Sequence, residues 1–281
     1  LVEVNSEEDF FSKLGLDFIS PELRENRGEI EAASKKSLPN LLMIDDLKGQ
    51  LHVHSTYSDG IHSIEQIAAE AIRLGYSYIG ITDHSRSAVY AKGLSIEELK
   101  QQGEEIDRLN EQFSNFRILK GVESDILQDG SLDYPDEVLS QLDYVIASVH
   151  SCFNQTEGEM TKRIIKAISN PHVKILGHPT GRLLLGRLGC QVNLEEVLQA
   201  ARDMGKVMEL NASPYRLDLD WRHCIRAKEL DVKLVINSDA HRIETLSNVE
   251  FGVMIARKGW IEAKDTINSL EVKDIIKYLE L

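Results

Sequence analysis

The sequence predicts an α/β fold in which seven strands and their helices form one (β/α) barrel. Seven strand-like apolar runs alternate with segments of helical periodicity, which implies right-handed βαβ units and a parallel sheet. Almost every run also ends in a histidine or a carboxylate. An open doubly wound sheet would gather such residues at two or three strand ends only, whereas a barrel brings all of them to one face. The barrel is therefore favoured over the open sheet.

The composition narrows the class of protein. A length of 281 residues is compatible with one large α/β domain or with two small ones. The 42% of residues that are hydrophobic are enough to form a sizeable core. No apolar run is long enough to span a membrane, and no secretory signal is visible. The chain begins with Leu1 rather than Met, which predicts a fragment or a processed product. Cys152, Cys190 and Cys224 have no C-x-x-C spacing, so we expect buried thiols and a cytoplasmic location.

The net charge of −14 argues against a surface that holds nucleic acid by itself. Residues 1–46 carry 11 acidic and five basic groups, and the remainder carries 35 and 27. The remainder therefore has a charge of −8.

The first 46 residues differ from the rest. Ser6 followed by three acidic residues predicts the start of a helix, and Gly15 predicts its end. The polar stretch that follows indicates an arm or linker that ends near Pro39. We therefore divide the chain into an N-terminal arm, residues 1–46, and a barrel, residues 47–281.

Strands and helices of the barrel follow in order. The predicted strands are residues 47–53, 78–82, 116–122, 144–149, 173–176, 207–210 and 234–237. Helical periodicity follows in segments such as 64–74, 99–113, 164–168 and 194–201. Residues 252–260 and 272–279 would complete the outer helical layer.

Nine side chains with the chemistry of metal ligands lie at or just beyond these strand ends. They are His52, His54, Asp59, His84, Glu123, His150, His178, Asp239 and His241. Each is weak evidence alone: Asp59 before Gly60 is more often a turn residue, and His178 before Pro179 more often structural. Together they predict a polynuclear metal site, and histidine with carboxylate but no cysteine suits Zn²⁺, Mn²⁺ or Fe²⁺.

The other three histidines, His62, His172 and His223, have the sequence context of surface residues. Competing chemistries lack support, because the sequence contains no P-loop, no dinucleotide-binding G-x-G-x-x-G and no G-x-S-x-G. The serines that flank His150 in sequence do not constitute a catalytic triad.

These segments resemble the PHP (polymerase and histidinol phosphatase) superfamily. The resemblance is carried by His52-Val53-His54, Thr82-Asp83-His84, Gly121-Val122-Glu123, Ser148-Val149-His150, Gly177-His178-Pro179 and Ser238-Asp239-Ala240-His241. Residues 181–187, residues 211–218 and the arm are similar to the C-terminal PHP domain of bacterial and archaeal family X DNA polymerases. The polymerase palm has no counterpart here, so polymerase activity is not implied.

The resemblance implies a distorted, TIM-like (β/α)7 barrel with three divalent ions, Zn and/or Mn. His52, His54, Glu123 and Asp239 would hold the first ion. Glu123 would bridge to a second ion held by His150 and His178, and Asp59, His84 and His241 would hold the third. Glu123, His150, Asp239 and His241 are the expected catalytic residues. A family X polymerase module is the expected N-terminal partner in the full-length protein.

The leading hypothesis is a metal-dependent phosphoesterase that acts on DNA 3′ ends in DNA repair. The resemblance implies 3′→5′ exonuclease action, with 3′-phosphatase or abasic-site cleavage as related reactions. Arg182, Arg187 and Arg216 are candidates to bind flanking phosphates, and an equal alternative is that they are solvated loop charges. Two other hypotheses stay open. One is a small-metabolite phosphatase of the histidinol-phosphatase type; the other is a non-catalytic module that metals stabilise.

Overall fold

Seven parallel strands pair in chain order and curl into a nearly closed barrel in this computed structural model, which describes residues 3–280. The strands are β1 Gly49–Gln50, β2 Tyr78–Ile81, β3 Arg117–Asp125, β4 Tyr144–Ser148, β5 Val173–Leu176, β6 Val207–Asn211 and β7 Leu234–Asn237. A single parallel bridge between Val53 and Ala240 joins the β7 side to the β1 side. The predicted seven-stranded barrel is confirmed.

Helices fill the connections and cover the outside of the sheet. They are α1 Glu7–Lys13, α2 Glu29–Ser34, α3 Ile64–Arg73, α4 Ile96–Asn110, α5 Asp136–Leu139, α6 Glu157–Ile168, α7 Leu194–Met204, α8 Trp221–Glu229, α9 Val249–Lys258 and α10 Val272–Glu280. Capping boxes begin α3, α4 and α6, where Ser63, Ser95 and Thr156 each accept a hydrogen bond from the backbone N–H three residues later.

The first strand is shorter than the sequence predicts. Just beyond Gln50, two backbone N–H groups donate to side chains: Leu51 N–H donates to Asn237 Oδ1 at 2.7 Å. Val53 N–H likewise donates to Thr82 Oγ1 at 3.0 Å. Because side chains accept some of the hydrogen bonds that a neighbouring strand would accept, the segment that carries the first two histidines is extended without being a regular strand.

The barrel interior is filled from its N-terminal end. Tyr78 and Tyr144 are fully buried there, and the Tyr144 hydroxyl donates to Leu51 O at 2.7 Å. Gly80 makes room for this ring, since a Cβ at that position would lie 1.9 Å from the Tyr144 hydroxyl oxygen. Ile275 of α10 packs into the same cluster. Apolar packing therefore occupies one end of the barrel and leaves the other end for polar groups.

The N-terminal arm packs on the barrel instead of extending away from it. Ser6 caps α1 by accepting from Asp9 N–H, and Gly15 follows the helix with a φ of 74°, as predicted. Leu23, in the polar stretch, and Ile19, just before it, are buried in a cluster against which Trp260 packs. The division at residue 46 stays a prediction, and residues 1, 2 and 281 lie outside the described residues.

Within residues 3–280, no helix is both long and apolar enough to cross a membrane. Cys190 and Cys224 are buried free thiols, as expected, whereas Cys152 is only half-buried.

Candidate metal centre

The nine predicted ligand residues converge on one end of the barrel, although the sequence spreads them over nearly 200 positions. Three overlapping groups of their donor atoms each lie within 4.8 Å of one another. The groups are His54, Asp59, His84 and His241; His52, His54 and Asp239; and His84, Glu123 and His150. The ninth residue, His178, directs Nε2 at Glu123 Oε1 from 2.9 Å.

Glu123 lies at the centre of the cluster and is 1% exposed. Its Oε1 atom faces His178 Nε2 at 2.9 Å and His150 Nε2 at 3.3 Å. Its Oε2 atom faces the opposite group, with His84 Nδ1 at 3.0 Å and His52 Nε2 at 3.4 Å. The two oxygens of one carboxylate therefore address two different sets of imidazoles.

Asp239 and Asp59 complete the cluster on the other side. Asp239 Oδ1 lies 3.1 Å from His54 Nε2 and 3.6 Å from His52 Nε2. Asp59 Oδ1 lies 3.3 Å from His241 Nε2 and 3.8 Å from His84 Nε2. Asp59 and His241 are about one-third exposed, so this part of the cluster is open to solvent.

Donor atoms of the cluster lack ordinary hydrogen-bond partners, which fits a divalent cation. Among the described residues, His52 Nε2, His54 Nδ1 and His84 Nδ1 are buried and make no well-directed hydrogen bond, although Glu123 Oε2 lies 3.0 Å from His84 Nδ1. Burying such atoms unpaired is costly unless something else satisfies their lone pairs. Imidazole and carboxylate without thiolate form a donor set suited to zinc, manganese or iron. The side chains present therefore fit metal binding.

Two acidic residues that the sequence reasoning missed hold the histidines from behind. Glu209 Oε1 accepts from His52 Nδ1 at 2.7 Å, and Asp125 Oδ1 accepts from His150 Nδ1 at 2.6 Å. Such carboxylates fix the imidazole tautomer, so that the other nitrogen keeps its lone pair toward the centre. Two signals were available: Glu209 is an acid inside an apolar strand, and Asp125 lies two residues after Glu123, on the same face.

The same contacts set the protonation of the histidines. Burial opposes protonation of His150, but Glu123 and the hydrogen bond to Asp125 outweigh it and raise its pKa to about 10. Burial lowers the pKa of His54 to about 3, with help from the charges of His241 and His84. Burial disfavours the charged form of Glu123, yet the surrounding histidines hold its pKa well below the usual range. Without metal, the cluster thus carries charge of both signs.

The three predicted phosphate-binding arginines lie in different surroundings. Arg182 Nε donates to Arg216 O at 2.9 Å, and its Nη2 donates to Leu217 O, so Arg182 braces the loop after β6. Arg187 Nη2 donates to Gly181 O at 2.8 Å, and its guanidinium lies 3.9 Å from the centroid of the Phe153 ring. Only Arg216 reaches the cluster, with Nε 3.5 Å from Asp239 Oδ2.

The three remaining histidines are outside the cluster, as expected, but they are half-buried and not exposed. His62 Nδ1 accepts from Ile243 N–H at 3.3 Å, and His223 Nδ1 is itself buried. The sequence context of His62 did not reveal this packing, because Ile243 lies 181 positions away in the chain.

Comparison with known proteins places these features in context. Residues 50–213 match the model of the PHP domain family. The chain is 49% identical over 275 residues to the DNA polymerase/3′-5′ exonuclease PolX of Bacillus subtilis, covering 98% of this chain and 48% of that protein. It is 32% identical over 231 residues to a probable phosphatase of Thermoanaerobacter sp., covering 74% of this chain and 91% of the phosphatase. Among solved structures, the histidinol phosphate phosphatase of Lactococcus lactis, complexed with zinc, L-histidinol and phosphate, is similar with a TM-score of 0.55 and 19% identity. The alignment covers 75% of this chain and 94% of that one, and it supports the barrel fold.

Proposed function

The chain belongs to the PHP domain family, and on that premise we propose that it is a metal-dependent phosphoesterase that removes nucleotides from DNA 3′ ends. The proposal includes 3′-phosphatase and abasic-site cleavage as related reactions and a role in DNA repair. A cytoplasmic location belongs to the same proposal.

The observation that carries the proposal is the position of Glu123. Its Oε1 faces His150 and His178 at 3.3 and 2.9 Å, and its Oε2 faces His52 and His54 at 3.4 and 3.6 Å. A carboxylate so placed is suited to bridge two cations, the arrangement that two-metal phosphoesterases use. A purely structural metal site would need only one closed set of ligands.

We assign three ions to the nine residues. The first is given to His52, His54, Glu123 and Asp239; the second to Glu123, His150 and His178; the third to Asp59, His84 and His241. Zinc and manganese are both compatible with this donor set. Divalent ions held there would supply Lewis acidity toward phosphate oxygens and activate water at neutral pH.

The chain's own residues prepare the site for this chemistry. Glu209 and Asp125 hold His52 and His150 in the tautomer whose Nε2 faces inward. Glu123, His150, Asp239 and His241 are the four that we assign to catalysis. We assign Arg216, whose Nε lies 3.5 Å from Asp239 Oδ2, to binding a phosphate oxygen of the substrate.

DNA as substrate is supported by the similarity to PolX, whose name includes a 3′-5′ exonuclease. The chain spans about half the length of that relative, so the activity and partners of the whole protein are part of the proposal. A family X polymerase module preceding the PHP domain is the partner that we propose.

A second candidate is the hydrolysis of a small phosphate monoester. The observation in its favour concerns the Thermoanaerobacter relative. The alignment with this chain covers 91% of that protein, which is named a probable phosphatase. The metal cluster serves both reactions equally and does not discriminate between them.

One experiment separates the candidates. The purified chain, loaded with Mn²⁺ or with Zn²⁺, is given a labelled oligonucleotide and histidinol phosphate in parallel. Stepwise shortening from the 3′ end with little phosphate release from histidinol phosphate is the expected result. Turnover of histidinol phosphate alone would favour the second candidate, and inactivity on both with full metal content would favour a non-catalytic module.

A further inference from the structure

Tyr90 is an exposed aromatic residue that lies directly beside the metal centre. Its side chain is 70% exposed, on the short turn Val89–Ala91 that follows β2. Its ring centroid is nevertheless 6.1 Å from that of His84 and 6.4 Å from that of His150. A large aromatic side chain in water contributes little to packing, and this one lies beside two candidate ligands.

The turn that carries Tyr90 is held firmly. Ala88 and Ala91 are buried, and Ser87 N–H donates to Asp133 Oδ2 at 2.6 Å. Ser87 Oγ donates to Asp125 Oδ2 at 2.7 Å, and the other oxygen of this carboxylate holds His150. The backbone of the turn is therefore fixed relative to the metal centre through the same carboxylate that orients one of its histidines.

Arg216 lies beside the same cluster, with its Nε 3.5 Å from Asp239 Oδ2. The metal cluster therefore has an aromatic ring beside His84 and His150 and a cation beside Asp239.

This arrangement matches the chemistry of a nucleotide, in which a flat base is joined through one sugar to a charged phosphate. Stacking on an aromatic side chain is how proteins hold unpaired bases without reading their sequence. It also adds affinity where net charge supplies little, and this chain carries −14.

We infer that Tyr90 stacks on the unpaired base of the nucleotide whose phosphodiester lies at the metal centre. Tyr90 is then the residue that favours a nucleic-acid strand over a small phosphate ester. The inference rests on the proposed function and deepens it by assigning a specificity-determining residue.

The test compares two strands and three variants. The strands are a short single-stranded oligonucleotide and the same strand with abasic 3′-terminal nucleotides. Tyr90→Leu removes the aromatic ring but keeps an apolar side chain, and Tyr90→Phe keeps the ring. Val89→Ala is the matched control, because Val89 is 81% exposed on the same turn.

With Mn²⁺ present, Tyr90→Leu should raise KM for the base-bearing strand about tenfold, the size expected for one lost base–aromatic stack. KM for the abasic strand should be unchanged by Tyr90→Leu. Tyr90→Phe and Val89→Ala should behave like the unsubstituted chain on both strands. An equal loss on both strands, or no loss on either, would overturn the inference and leave the proposed function intact.

A binding measurement tests the same contact without turnover. A strand with 2-aminopurine at its 3′ end and a phosphorothioate at the scissile position is titrated with the metal-loaded chain. Stacking quenches the fluorescence of this base, so quenching should occur with the unsubstituted chain and Tyr90→Phe and be lost in Tyr90→Leu. Equal quenching with Tyr90→Leu would overturn the inference. If the unsubstituted chain cuts neither strand yet shows this difference, the proposed exonuclease fails while the stacking contact stands.

Discussion

Replacing Glu209 with glutamine should weaken metal binding although Glu209 is not among the nine assigned ligands. The carboxylate is fully buried and accepts four hydrogen bonds. Two of them orient candidate ligands: His52 Nδ1 donates at 2.7 Å, and His178 N–H donates at 2.7 Å. Glutamine has nearly the same shape, so the substitution removes the charge and one acceptor without opening a cavity.

The size of the effect follows from these contacts. Loss of a carboxylate behind a metal-binding histidine typically costs 10- to 100-fold in metal affinity, or about 1.4 to 2.8 kcal/mol. The glutamine amide also turns an NH2 group toward donors, because its single oxygen cannot accept from both His52 and His178. One unsatisfied buried donor should lower the free energy of unfolding by about 1–3 kcal/mol.

The two effects are measured separately. Competition with a chromophoric chelator gives the affinity for Zn²⁺, and denaturant unfolding of the metal-free chain gives stability. Glu29→Gln is the matched control, since Glu29 is also buried and hydrogen-bonded, to the backbone N–H groups of Asn26 and Arg27, but lies in the arm. Glu29→Gln should lower stability without changing metal affinity.

If Glu209→Gln bound metal as tightly as the unsubstituted chain while remaining folded, the role of Glu209 in orienting His52 and His178 would be refuted. A loss of metal affinity equal to that of Glu29→Gln would also refute it, because the effect would then be one of general stability.

Three further predictions follow from the same geometry. Glu123→Ala should lower the metal content by more than one ion and abolish hydrolysis; full metal content by elemental analysis would contradict the bridging assignment. Arg216→Ala should reduce activity on an oligonucleotide relative to a small chromogenic phosphate by about 1–3 kcal/mol in transition-state free energy, whereas Asp59→Ala should depress both alike. An unchanged ratio for Arg216→Ala would return Arg216 to the role of a loop charge. The metal-free chain should lose thermal stability as pH rises from about 6.5 through about 10. The reason is that the raised pKa of His150 stabilises the fold below the ordinary value of 6.5 and this contribution is lost through about 10. Metal uptake should strengthen over the same range because the ligands deprotonate; a flat stability profile after chelation would count against this account.

Much of the fold was predictable because its signals are local. Strands β5 and β7 occur at the predicted residues, and β2 and β4 differ from prediction by one residue at their ends. The length of the first strand was overestimated, since the side chains that accept its backbone hydrogen bonds, Asn237 and Thr82, come from elsewhere in the barrel. The packing of Ile19 and Leu23 against Trp260 escaped prediction for the same reason.

The candidate site was likewise predictable only in part. The nine residue types at the strand ends were evident from the sequence, whereas Glu209 and Asp125 were missed. Both lie within strands, and their partners are distant in the sequence: Glu209 holds His52 from 157 positions away, and Asp125 holds His150 from 25. The arginines were equivalent as loop charges, but folding of their loops engages Arg182 and Arg187 with carbonyl oxygens and brings Arg216 to the centre.

By itself the sequence determined the alternation of strands and helices and which chemical groups stand at each strand end, because periodicity and side-chain chemistry are properties of neighbouring residues. Only the tertiary structure decided which imidazole faces which oxygen of Glu123, which carboxylates stand behind the histidines, and that Tyr90 lies over the centre. Those relations depend on strand register and barrel closure, which hydrogen bonds between distant segments fix to within an ångström and which no local pattern encodes.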